Sequence, residues 1–228
     1  MGVIALSAVL GSLLSANLGS TGGSSNVQSQ RVFETATPDT PAAAGTASAS
    51  ATGTPIATPL RRTYTAAPEL AIDPNKQYFA TIKTEKGDIR VELFPKEAPQ
   101  TVNNFVFLAR NDFFDGLTFH RVIDGFVAQG GDPSGQGNGG PGYSLPEEKN
   151  ALKHDAGTIA MAKAGTITSG SQFYITLASQ PALDRDFTVF GKVVAGMDVL
   201  QSITKRDPAR NIRAAAGDKI VDIQIDER

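Results

Sequence analysis

Residues 119–132 read Phe119-His-Arg-Val-Ile-Asp-Gly-Phe-Val-Ala-Gln-Gly-Gly-Asp132. In an extended chain successive side chains point to opposite faces, so Arg121 and Ile123 share one face and His120 and Val122 the other. Asp124-Gly125 lets the chain turn and re-aim before Phe126 and Gln129. The stretch therefore predicts two short β-runs, Thr118 to Ile123 and Phe126 to Gln129. One cation, Arg121, stands among Phe119, Val122, Ile123, Phe126 and Val127. Taken alone, such an arginine is an ordinary solvated strand residue.

Upstream, Tyr78 to Thr84 and Ile89 to Phe94 alternate in the same way around Glu85-Lys-Gly-Asp88, predicting a hairpin with Ile89, Val91 and Leu93 on one face. Pro99 suits a first helical turn, and Val102, Phe105, Val106 and Ala109 recur at helical spacing until Asp115-Gly116. Downstream, Thr158 to Met161, Gln172 to Leu177, Thr188 to Val194 and Lys219 to Ile225 read as strands, the last with Val221, Ile223 and Ile225 on one face. A second helix covers Met197 to Thr204. Many short strands with two helices predict a mainly β domain, a closed or nearly closed antiparallel barrel with helical caps.

Composition narrows the chemistry. The 228 residues hold 21 basic and 23 acidic side chains, a net charge of −2, which argues against a nucleic-acid partner. There is no Cys, which excludes a thiol nucleophile, a zinc-thiolate site and a disulfide scaffold. The only histidines are His120 and His154, and neither H-E-x-x-H nor G-x-S-x-G occurs. Gly135 to Gly140 satisfies G-x-G-x-x-G, but Pro141-Gly142 follows where a phosphate-binding helix should open. The segment reads as a loop in which glycine lets backbone come close to something. No metal or cofactor is expected.

Four separated blocks then carry a resemblance: Phe119 to Asp132; Met161-Ala-Lys-Ala-Gly165; Gly170-Ser-Gln-Phe-Tyr-Ile175; and Leu183-Asp184 with Val189-Phe-Gly191. In this order they resemble the cyclophilin family of peptidyl-prolyl cis-trans isomerases, over about Gln77 to Arg228. The resemblance implies an eight-stranded antiparallel barrel closed by two helices, with the substrate groove on its outside. It implies a catalytic Arg121, assisted by Gln129 and Phe126. A proline pocket of Phe126, Val127, Tyr174 and Leu183 and polar groove residues Gln129 and Gln172 follow, with peptide-backbone contacts at Ala162, Lys163 and Ala164. His120 and Phe187 complete the substrate-binding set. Lys163 stands where Asn is usual, Tyr174 where Phe is common and Phe187 where many members carry His. Ala182 replaces the Trp that many members use to bind cyclosporin, so weak cyclosporin binding is expected. The implied activity is isomerisation of X-Pro bonds in proline-containing polypeptides; the alternative is a proline-peptide binding or chaperone module with weak or no isomerase activity.

The first third of the chain differs. Only seven of the 44 charged side chains precede residue 76, leaving 37 for the remaining 153 residues. Val3 to Leu18 carries no charge and is near the ~20 residues of a spanning helix. Residues 1–18 are therefore read as a signal-anchor or signal-like segment. Residues 19–75, rich in Ser, Thr, Ala, Pro and Gly, are read as a disordered linker, and 76–228 as the isomerase domain. The expected protein is a bacterial, monomeric, membrane-anchored or secreted folding enzyme outside the cytoplasm.

Overall fold

The structure is a computed structural model and describes residues 63–211 and 217–228; the apolar segment 1–18 and linker residues 19–62 lie outside the described residues. The alternation at 78–94 forms a hairpin, β1 (Tyr78–Thr84) pairing antiparallel with β2 (Gly87–Leu93). Thr84 opposes Gly87, so the turn is only Glu85-Lys86, tighter than expected. The Thr84 hydroxyl closes it, donating to the Gly87 carbonyl at 2.8 Å and accepting the Lys86 N–H at 3.0 Å. Ile89, Val91 and Leu93 are all buried, as the alternation predicts.

Helix α1 (Pro99–Arg110) buries Val102, Phe105, Val106 and Ala109. Its N-cap, Ala98, has no side chain to satisfy the free N–H groups of the first turn. Glu148, far along the chain, supplies the missing acceptors: its carboxylate takes the Gln100 N–H at 2.9 Å and the Thr101 N–H at 2.7 Å. A carboxylate there also opposes the positive end of the helix dipole.

The remaining elements are β3 (Arg121–Val122), β4 (Val127–Gly130), β5 (Ser144–Leu145), β6 (Thr158–Ala164), β7 (Ile167–Thr176), β8 (Val189–Ala195), α2 (Met197–Ser202) and β9 (Ile220–Glu227). The strand order is β3-β4-β7-β6-β8-β2-β1-β9, every pair antiparallel, with β5 laid against β7. The described residues thus hold nine strands rather than eight; β5, two residues long, is too short for alternation to reveal. The sheet curls until the chain before β3 meets the start of β9. Thr118 bridges Lys219, and the Phe119 N–H donates to the Asp218 carbonyl at 3.0 Å. Where a closed eight-stranded barrel was expected, the described architecture is a curled antiparallel sheet with two helices.

Two expectations need correction. Val221 was placed on the buried face of the last strand but is 53% exposed, while Ile220 and Ile223 are buried. The register of β9 against β1 slips between Lys83 and Thr84, and Val221 is the extra residue of that bulge. Residues 63–75, read as the end of the linker, lie against the domain. Tyr64 donates its N–H to the Pro141 carbonyl at 2.7 Å and stacks edge-on to Phe107 at 5.2 Å. The Asn103 amide oxygen accepts from Ala71 at 2.9 Å, and Ile72 is buried. Tyr64 and Ile72 bring the apolar surface that offsets the entropy of ordering this stretch.

The inner face of the sheet meets α1 in an aromatic cluster. Phe173 of β7 contacts Phe105, Phe114 and Phe119 with ring centroids 5.6, 5.8 and 6.4 Å away, each edge-to-face.

Candidate active site

Residues directly opposite one another in an antiparallel ladder project to the same face. The registers pair Arg121 with Gln129, Gln129 with Tyr174, Tyr174 with Ala160 and Ala160 with Val189. These five residues form one row across β3, β4, β7, β6 and β8. The row beside it, Val122, Ala128, Ile175 and Ile159, points the other way into the main core. Arg121 and Tyr174 are two strand spacings apart, roughly 10 Å, about the length of three extended residues.

The outward row borders a second, smaller apolar cluster. Val127, Ala160, Ala162, Tyr174, Leu183 and Val189 are buried in it, with Phe126 and Phe187 packed against its edge. Phe126 follows Gly125, which takes φ 65°. That left-handed turn suits glycine and re-aims the chain between β3 and β4. Leu183 arrives on a single 3-10 turn, Pro181–Leu183, which the sequence did not disclose.

Arg121 stands at the open end. Its guanidinium lies 5.7 Å from the centre of the Phe126 ring and, among the described residues, makes no hydrogen bond. Burial lowers its pKa, opposed by the Asp207 carboxylate; a guanidinium nevertheless stays charged under all ordinary conditions. Its N–H donors are thus unused among the described residues. Gln129 donates to the Gln172 side-chain oxygen at 3.1 Å, and Gln172 donates to the Gly139 carbonyl at 2.8 Å. This chain holds the Gln129 amide in place, directly opposite Arg121 in the ladder. Ala162 sits where the β6–β7 register jumps between Met161 and Lys163, leaving its backbone outside the ladder. Ala164, at the end of β6, is exposed.

A family model for the cyclophilin type peptidyl-prolyl cis-trans isomerases matches residues 79–225. The chain belongs to that family. It is 53% identical over 136 residues to a peptidyl-prolyl cis-trans isomerase of Helicobacter pylori, covering 58% of this chain and 83% of that protein. It is 50% identical over 127 residues to peptidyl-prolyl cis-trans isomerase B of Bacillus subtilis, covering 55% and 89%. Among solved structures, a cyclophilin type isomerase of Cryptosporidium parvum superposes with a TM-score of 0.59 at 33% identity, over 67% of this chain and 99% of that one.

Against that family background the departures acquire structural meaning. Lys163, in place of the usual Asn, does not extend into the groove. Its ammonium donates to Glu147 at 2.5 Å and to the Asp186 carbonyl at 2.7 Å, and it lies 5.4 Å from the Phe187 ring centre. Phe187 in turn meets Tyr174 edge-on at 5.6 Å. Ala182 is exposed on the 3-10 turn. Beneath the pocket, His154 Nε2 lies 3.0 Å from the Tyr174 hydroxyl and Nδ1 lies 3.2 Å from Asp184. Burial lowers the His154 pKa, with Asp184 opposing, so the ring is neutral near pH 7. The His154 backbone N–H, with Lys153 and the imidazole, holds Asp184 down to about 2. An ionised Asp184 can only accept, so Nδ1 carries the proton and Nε2 accepts the one from Tyr174. Neither His154 nor Glu147 was singled out from the sequence, because their partners lie 16 to 30 residues away.

His120, expected among the substrate-binding residues, lies on the face opposite Arg121. It is 3% exposed, opposite in alternation to Arg121, against the loop that carries Asp132 and Gly137. That loop is the glycine-rich segment, and it folds around Asp132. Burial acts to raise the Asp132 pKa, but bonds from Ser134 and Gly137 outweigh it and hold the carboxyl low.

Proposed function

We propose that this protein accelerates cis/trans isomerisation of X-Pro bonds in polypeptides, with Arg121 as the catalytic residue. What carries the reading is the juxtaposition of an unbonded guanidinium with an apolar pocket along one cross-strand row, Arg121, Gln129 and Tyr174. A neighbouring structure of the Cryptosporidium isomerase, 34% identical, was determined in the presence of the dipeptide Ala-Pro, which supports a prolyl ligand for this groove.

Rotating an amide costs roughly 18–20 kcal/mol because C–N resonance is lost, while cis and trans X-Pro differ by only about 0.5–1 kcal/mol. The catalyst must therefore favour the twisted state rather than drive an equilibrium. In that state the prolyl nitrogen becomes pyramidal and regains its lone pair, so it can accept a hydrogen bond that the planar amide cannot. Arg121 donates that bond. Because the bond exists mainly in the transition state, it lowers the barrier instead of merely tightening binding. Val127, Tyr174, Leu183 and Phe126 hold the pyrrolidine ring while the preceding residue rotates, with Phe187 and the backbone of Ala162 to Ala164 bordering the bound peptide. Gln129, directly opposite Arg121 in the ladder and held by Gln172, borders the space the rotating bond occupies. No step calls for a nucleophile, base, metal or cofactor.

The same reading makes the enzyme a monomeric folding factor for exported proteins. Its domain is carried outside the cytoplasm of a bacterium by the uncharged segment at 3–18 and a low-charge linker. Weak cyclosporin binding follows from Ala182. Arg121→Ala tests the chemistry: about a 100-fold loss of cis/trans catalysis on an X-Pro peptide is expected, with thermal unfolding nearly unchanged. Equal activity in the variant would remove Arg121 from the mechanism.

A further inference from the structure

Tyr174 brings a hydroxyl into a place where an apolar ring would suffice, and that hydroxyl is buried. A buried O–H needs a partner, and His154 provides it with a side chain that is itself wholly buried. The same histidine is joined to the 3-10 turn that carries Leu183. Its carbonyl accepts the Gln180 N–H at 2.7 Å, its backbone N–H donates to Asp184 at 2.9 Å, and Nδ1–H donates to the same oxygen at 3.2 Å. Tyr174 belongs to the sheet, whereas Leu183 belongs to a turn outside it. The two pocket walls thus have different foundations, and one imidazole bonds to both. Phe187 closes the arrangement, edge-on to both the His154 and Tyr174 rings.

We propose that His154 is a positioning residue of the prolyl pocket: it locks the Leu183 turn to the Tyr174 wall and so sets the width available to the pyrrolidine ring. This rests on the reading of the groove as a prolyl site. Proline is small and rigid, so a pocket free to widen loses contact with it on every side. Dispersion attraction falls by a quarter to a half for a gap of only 0.5–1 Å. The rotating bond lies beyond the pocket, beside Arg121. His154 therefore governs affinity and leaves the rate of the bound peptide to Arg121.

The test measures two quantities on the full chain with an Ala-Pro-containing peptide. NMR titration gives Kd, and cis/trans exchange at saturation gives the catalysed rate. His154→Ala is expected to weaken Kd by about fivefold, the loss of a net hydrogen bond or slightly more. His154→Asn, which keeps an amide N–H near Asp184, recovers part of that loss. Tyr174→Phe weakens Kd by about threefold, and adding it to His154→Ala costs nothing further, because both remove the same link. The saturated rate stays within about twofold in His154→Ala and His154→Asn. Unchanged Kd in folded His154→Asn and Tyr174→Phe would overturn the proposal, as would additive losses in the double variant. Should His154→Ala fail to fold, the Asn and Phe variants decide alone. A wild-type chain that binds the peptide without accelerating exchange would instead overturn the isomerase reading, and the Kd comparison would still judge His154.

Discussion

Along β4, β6 and β7, successive side chains alternate between two buried clusters of different make. The inner one contains Ala128, Ile159, Phe173 and Ile175, with Phe173 edge-on to Phe105 and Phe114. The outer one is small, and its apolar members share their face with Arg121, Gln129 and a tyrosine bonded to a histidine. Both faces are shielded, but the outer one is bordered by the Arg121 guanidinium, which makes no hydrogen bond among the described residues. Burial alone does not distinguish a core from a site; a charged donor group set beside an apolar pocket does.

The difference can be broken from the inside first. Phe173→Ala removes a ring that touches three other rings and is expected to cost about 3–5 kcal/mol of unfolding free energy, measured by urea titration. Peptide affinity below the melting range should persist, because the outer row keeps its residues. A Kd that rises in step with the stability loss would mean that the two clusters are not separate. On the outer side, Lys163→Met releases Glu147 and the Asp186 carbonyl together, and is expected to weaken peptide binding by about threefold through a looser Phe187. Titration by NMR checks this, and unchanged affinity would place Phe187 under other control. Glu148→Ala strips the acceptors from the start of α1; a loss of about 0.5–2 kcal/mol in stability with unaltered activity is expected.

The smallest effect is in pH. His120 and His154 both have folded pKa values lowered by burial from the ordinary 6.5, so the unfolded chain binds protons more readily than the folded one. Their contribution is complete above about pH 6.5 and fades as pH falls through the lowered values. Asp184, held at about 2 against an ordinary 3.8, acts in the same direction in stronger acid. Melting temperature should therefore be flat above neutrality and begin to fall just below it. Replacing His154 with Asn should flatten part of that first decline.

Much of this was legible in the sequence because it repeats at short range. Period two separated Arg121 from Val122, and the 3.6-residue recurrence located α1 and its start at Pro99, though its stop signal, Asp115-Gly116, lies beyond the observed end at Arg110. The residues named from the four motif blocks include the cross-strand row Arg121, Gln129 and Tyr174 and the apolar cluster of Val127, Tyr174 and Leu183 with Phe126 against it, while His120 lies on the opposite face. What escaped was set by contacts between distant parts of the chain. Glu148 caps a helix 47 residues upstream, and the 3-10 turn under Leu183 is held by His154. The bulge at Val221 depends on a register slip against β1, and the stretch at 63–75 is ordered by Asn103 and the ring of Phe107. None of these leaves a periodic trace.

The sharpest test replaces Arg121 by Lys, which keeps the positive charge but loses the planar fork of donors. Cis/trans exchange of an Ala-Pro peptide is followed by NMR at saturating protein. The wild-type chain should exchange the two bound forms rapidly, and Arg121→Lys should bind with similar affinity while exchange drops by at least about tenfold. Undiminished exchange in Arg121→Lys would show that the directed guanidinium bond is not what lowers the barrier.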